Sequence, residues 1–168
     1  MAKLTFILGG ARSGKSAFAV KIAGRYKNVT YVATAQVLDE EMRERVEMHK
    51  KLRPASWQVV ESPTNVANIV EGLEGKADLI LIDCLTLYVT NLLLDGNKKD
   101  AKEKYITDEI ERLCRASKNV GADVIMVSNE VGQGIVPADP LGRKFRDIAG
   151  RVNQLVASHA DEVYFITA

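Results

Sequence analysis

The segment Gly9-Gly10-Ala11-Arg12-Ser13-Gly14-Lys15-Ser16 constrains this chain more than any other. It matches G-x-x-x-x-G-K-[ST] at every fixed position. Glycines let the backbone fold closely around phosphate oxygens. Exposed amide N–H groups and the N-terminus of the following helix supply a fixed positive potential. Lys15 adds a mobile charge for the β- and γ-phosphates, and the Ser16 hydroxyl is a ligand for Mg²⁺. The flanks agree with the motif. A short apolar run, residues 4–8, precedes it as a strand, and a helix is expected over 15–26. A chance glycine turn would carry neither flank. These residues point to a nucleotide-binding protein.

The rest of the chain alternates strands with helices. Strands are expected at residues 29–33, 57–60, 79–82, 124–127 and 162–166. Helices are expected at 39–52, 64–73, 85–94, 101–118 and 143–158, with a glycine- and proline-containing loop through Pro140 before the last one. Asp39 reads as the N-cap of its helix, with Glu40 and Glu41 in the first turn where the helix dipole favours acids. Pro54 disfavours helical geometry at Arg53 and so ends that helix. Residues 79–82 (Leu-Ile-Leu-Ile) have the continuous apolar character of a central parallel strand. The expected fold is α/β, a RecA-like P-loop fold with a mostly parallel sheet and helices on both faces. Its 168 residues fit one domain spanning 1–168.

Composition narrows the function classes. A formal charge of +1 supplies no field for nucleic acid or anionic membranes. Aromatic residues make up only 6% and Trp57 is the sole tryptophan, which argues against a stacking platform for single strands. No apolar run reaches the ~18–20 residues of a membrane span. Cys84 and Cys114 lack metal-type spacing and read as buried reduced thiols. Met1-Ala2-Lys3-Leu4 leads directly into a strand without the features of a signal peptide, so a cytoplasmic enzyme is expected.

Two further positions carry chemistry. Asp83 follows the buried run 79–82, where a second Mg²⁺-holding carboxylate belongs; it would equally cap the next helix. His49 shares one face of the 39–52 helix with Met42, Arg45 and Arg53, since these are spaced by three and four residues. That face is either a solvated basic surface or a phosphate-handling one. In the second case a neutral imidazole attacks phosphorus and the flanking guanidinium groups stabilise the leaving charge. Spacing does not fix the distance from His49 to the loop. His159, at the end of the last helix, reads as structural.

The ordered set is more specific than any one motif. The glycine loop is followed by Tyr31-Val32-Ala33-Thr34-Ala35, Asp39-Glu40-Glu41-Met42, Arg45, His49, Arg53-Pro54, Trp57 and Glu61. Then come Asp83-Cys84-Leu85-Thr86-Leu87, Asn91-Leu92-Leu93, Ser128-Asn129-Glu130-Val131-Gly132, Arg143, Arg146-Asp147 and Gly150-Arg151-Val152-Asn153-Gln154. Across essentially the whole chain this resembles the bifunctional adenosylcobinamide kinase / adenosylcobinamide-phosphate guanylyltransferase family of cobalamin biosynthesis. The resemblance implies two reactions. Adenosylcobinamide is phosphorylated with ATP or GTP. GMP then passes from GTP to adenosylcobinamide phosphate through a guanylylated histidine, which maps to His49. It further implies nucleotide contacts at residues 9–16, at Thr34, Ala35 and Gln36, at Lys50, Lys51, Leu52 and Arg53, and at Glu61 and Asp83. A homotrimer is implied as well. The alternative function is a P-loop small-molecule kinase that forms no histidine intermediate.

Overall fold

The computed structural model describes residues 2–96 and 102–168. The elements in chain order are β1 (Leu4–Gly9), α1 (Lys15–Ala23), β2 (Val29–Ala33), α2 (Glu40–Leu52), β3 (Gln58–Glu61) and α3 (Val66–Gly72). They continue with β4 (Leu79–Asp83), α4 (Leu85–Leu94), α5 (Lys102–Asn119), β5 (Asp123–Asn129), α6 (Pro140–His159) and β6 (Glu162–Ile166). Ala101, expected at the start of the fifth helix, and Met1 lie outside the described residues. The strands form one sheet in the order β3-β2-β4-β5-β1-β6, and every pairing is parallel. The α/β P-loop expectation is met. β5 separates the loop strand β1 from the Asp83 strand β4, so these two are not immediate neighbours.

Strand alternation sorts the core onto two faces. Phe6, Val32, Ile80, Ile82, Val124 and Met126 face the helices α3, α4, α5 and α6. Ile7, Tyr31, Leu79, Leu81, Ile125 and Val127 pack with Ala19 and Ala23 of α1 and with Trp57. The continuous apolar runs of β4 and β5 follow from burial on both sides. By the same alternation Gly9, Ala33, Asp83 and Asn129 end their strands on the α1 face. Register sets Ala33 beside Asp83 and Gly9 beside Asn129.

Element ends differ from the sequence expectations for local reasons. α1 stops at Ala23 rather than residue 26, because the N–H groups of Arg25 and Tyr26 bond three residues back, to Ile22 O and Ala23 O, instead of four. α6 begins at Pro140 rather than 143. Asp39-type capping recurs there: Asp139 accepts from Gly142 N, and Pro140 occupies the first turn, where its missing N–H costs nothing. β5 runs on through Ser128 and Asn129, whose polarity hid them from an apolar reading. Ser128 Oγ finds Asn153 Oδ1 at 2.7 Å. No helix among the described residues is long and apolar enough to cross a membrane. Cys84 and Cys114 are free and buried, and burial pushes both thiols up to about 12.

Candidate active site at the C-terminal strand ends

The glycine loop follows β1 and opens α1. Gly14 has φ 88°, and Arg12 also adopts positive φ, 56°, so the loop turns through two left-handed residues. Gly9 has no room for a side chain: a Cβ there would lie 2.6 Å from Ile166 O and 2.7 Å from Ser13 Oγ. Ser13 Oγ is buried and has no hydrogen-bond partner among the described residues. A buried, unpaired hydroxyl in a loop of this shape is a donor in search of an acceptor, which a phosphate oxygen would supply. Lys15 Nζ lies 3.0 Å from Gly10 O, folded back over the loop. Desolvation lowers the Lys15 pKa most; Cys84 and Asp83 oppose this, and the nearby Arg45 charge adds to it. Lys15, Asp83 and Arg45 therefore share one electrostatic environment.

Asp83 ends β4 and gathers its neighbours through one oxygen. Its Oδ2 accepts from Tyr31 Oη at 2.9 Å and faces His49 Nδ1 at 3.3 Å. No hydrogen bond reaches Oδ1 among the described residues. Burial, and then the adjoining carboxylate, push the Tyr31 phenol up, so it is a neutral donor. Next to Asp83, Thr34 Oγ1 donates to Cys84 O at 2.7 Å and accepts from Cys84 N at 2.9 Å, across a cis Asp83–Cys84 peptide. Asn91 Nδ2 joins the loops after β2 and β3 by donating to Thr34 O at 2.8 Å and Pro63 O at 3.0 Å.

α2 brings His49 to this point. Asp39 caps it by accepting from Met42 N, as expected. Two residues of the shared face reach the sheet: His49 meets Asp83, and Arg53 lies 4.2 Å above the Tyr31 ring. Spacing did not reveal the carboxylate beside the imidazole, which is there because the topology folds the helix over the end of β4. Of the other expected contacts, Lys50 is paired with Glu47 at 2.8 Å, and Lys51 and Leu52 are exposed. Thr34 is buried with its hydroxyl and carbonyl engaged, which leaves Ala35 and the exposed Gln36 as the more available groups of that segment. Glu61 ends the edge strand β3, exposed, beside Ala33. Ser16 is the second residue of α1, beside Lys15.

Tyr31 and Asn91 were not expected at the site. A tyrosine inside a buried strand needs a partner for its hydroxyl, which was the available signal for Tyr31. Nothing local marks Asn91, whose acceptors are 57 and 28 residues away. The cavity lined by Lys3, Lys21, Arg25, Tyr26, Asp123 and Glu162 lies at the opposite, N-terminal ends of the strands and takes no part in this arrangement.

A hydroxyl, a lysine and a carboxylate around a phosphate-binding loop suit phosphoryl transfer, and an imidazole at the same strand ends adds a nucleophile. Comparison with known proteins agrees. The CobU family model, described as cobinamide kinase / cobinamide phosphate guanyltransferase, matches residues 5–168. The bifunctional adenosylcobalamin biosynthesis protein CobU of Salmonella typhimurium is 43% identical over 173 residues, covering 98% of this chain and 96% of that protein. Its counterpart in Escherichia coli is 42% identical with the same coverage. The bifunctional adenosylcobalamin biosynthesis protein CobP of Pseudomonas aeruginosa is 39% identical over 165 residues, covering 96% and 91%. By residues, fold and relatives together, this chain belongs to the cobinamide kinase / cobinamide phosphate guanyltransferase family.

Proposed function

We propose that this chain phosphorylates adenosylcobinamide with ATP or GTP and then transfers GMP from GTP to adenosylcobinamide phosphate, with His49 as the covalent carrier. The observation that carries the reading is the 3.3 Å contact of His49 Nδ1 with Asp83, which brings an imidazole to the end of the sheet where the phosphate loop follows β1. In the kinase step the substrate hydroxyl oxygen attacks the γ-phosphorus. The bond to the β,γ-bridging oxygen breaks, the nucleoside diphosphate leaves, and the hydroxyl proton passes to solvent. Lys15, Ser13 and the loop amides hold the charge spreading over the phosphoryl oxygens. In the transfer step Asp83 Oδ2 accepts a hydrogen bond from the Nδ1–H of His49, which fixes that tautomer, and the Nε2 lone pair attacks the α-phosphorus. The bond to the α,β-bridging oxygen breaks and pyrophosphate leaves. A phosphate oxygen of adenosylcobinamide phosphate then attacks the same phosphorus, the P–N bond breaks, and Nε2 recovers its electron pair.

Ser16 and Asp83 are a hydroxyl and a carboxylate, hard oxygen donors that fit Mg²⁺, and Asp83 Oδ1 is not engaged by any other group among the described residues. When bound, Mg²⁺ would neutralise charge on the nucleotide phosphates. Guanine would find an acceptor in Glu61 and polar groups at Ala35 and Gln36. Arg53, Lys50, Lys51 and Leu52 would border the nucleotide from α2. A cytoplasmic homotrimer completes the proposal. The apolar side chains Val163 and Phe165, half-exposed on the edge strand β6, support self-association.

The test supplies adenosylcobinamide, GTP and Mg²⁺ and separates the corrinoid products. Wild-type protein should give the phosphate and then adenosylcobinamide-GDP with pyrophosphate. Lys15→Ala should lose both activities by more than about a hundredfold, and His49→Ala should stop at the phosphate. No phosphorylated corrinoid from folded wild-type protein would sink the proposal.

A further inference from the structure

α2 carries His49, yet none of its residues is buried. Two contacts of this helix lead to one side chain, Tyr31: Arg53 meets it directly and His49 through Asp83. Tyr31 projects from β2 on the α1 face. Its ring lies under the Arg53 guanidinium at 4.2 Å, and its hydroxyl donates to Asp83 Oδ2 at 2.9 Å, the oxygen that faces His49. Arg53 is the C-cap residue of α2, four positions after His49, so both sit over the end of the sheet. The ring and the hydroxyl thus hold the two parties of the His49–Asp83 pair separately, one through the helix and one through the strand.

We infer that Tyr31 is a positioning residue for histidine guanylylation: its ring docks α2 through Arg53 and its hydroxyl fixes the Asp83 carboxylate that orients His49. Tyr31 touches no reacting atom; it acts through Arg53 and Asp83. The inference rests on the function proposed above. The two roles are separable by substitution. Tyr31→Phe keeps the ring and removes the hydroxyl. Tyr31→Leu removes both, and Arg53→Ala removes the partner of the ring, an effect read by exchange without nucleotide because Arg53 also borders the proposed nucleotide site.

Single-turnover transfer of α-labelled GMP to the protein measures the rate at His49, and GTP titration measures affinity. Amide hydrogen exchange in α2, followed without nucleotide, measures docking. Tyr31→Leu should slow labelling about tenfold at saturating GTP and speed α2 exchange by a similar factor, with GTP affinity changed by less than about threefold. Tyr31→Phe should slow labelling about threefold with α2 exchange unchanged. Adding Tyr31→Leu to Arg53→Ala should speed α2 exchange no further, because the pair forms one contact. Additive effects on exchange, or wild-type labelling in folded Tyr31→Leu and Tyr31→Phe proteins, would overturn the inference. If Tyr31→Leu does not fold, Tyr31→Phe and Arg53→Ala carry the test. If wild-type protein takes no label, the proposed function fails, and the exchange measurements alone decide the docking role.

Discussion

At the scale of single residues, the glycine loop makes its own contrast. Gly9→Ala forces a Cβ against Ile166 O and Ser13 Oγ, whereas a Cβ at Gly10 meets nothing within 4 Å. Urea melts should show Gly9→Ala destabilised by about 1–3 kcal/mol and Gly10→Ala by less than about 0.5 kcal/mol. Equal effects would refute the packing of the loop against β6. The loop, Asp39 as a cap, the shared face of α2 and the carboxylate after residues 79–82 were all legible in the sequence, because each rests on local spacing. The meeting of His49, Asp83 and Tyr31 was not. It depends on which strands are neighbours, and no local pattern specifies that β2 and β4 lie side by side.

At the scale of elements, the loops that end β2 and β3 are joined by one side chain. Asn91 on α4 satisfies the carbonyls of Thr34 and Pro63 together. Asn91→Ala leaves both without that donor, at a cost of about 1–3 kcal/mol. Thermal melts should register this as a fall of about 2–12 °C, and an unchanged melt would remove Asn91 from the scaffold of the site. The elements themselves followed from apolar patterning, but their ends did not. The apolar pattern places Pro140 in the loop, yet it is the first helical residue, since proline marks a helix start as readily as a break. Ser128 and Asn129 prolong β5 beyond its apolar run because Asn153 accepts from the Ser128 hydroxyl and Thr86 from the Asn129 backbone N–H.

At the scale of the whole molecule, the sheet divides its labour between its two ends. The N-terminal end is tied by polar contacts, among them Tyr26 Oη donating to Asp123 Oδ2 at 2.7 Å. That bond, followed by burial, pushes the Tyr26 phenol up to about 12 from 10.0. The folded state therefore holds this proton more tightly than the unfolded chain. The stabilisation is complete below pH 10 and is lost as pH rises towards 12. Denaturant midpoints of the wild type should fall more between pH 10 and 12 than those of Tyr26→Phe; parallel curves would contradict the assignment. At the C-terminal end, the proposed function requires the phosphate loop and His49 to serve one nucleotide. The direct test is to incubate the protein with Mg²⁺ and GTP labelled on the α-phosphate, denature it, and count label on the protein. The wild type should carry acid-labile, alkali-stable label and His49→Ala none. Absence of label in wild-type protein that binds GTP, or full label in His49→Ala, would contradict the proposed function and leave a P-loop kinase without a histidine intermediate.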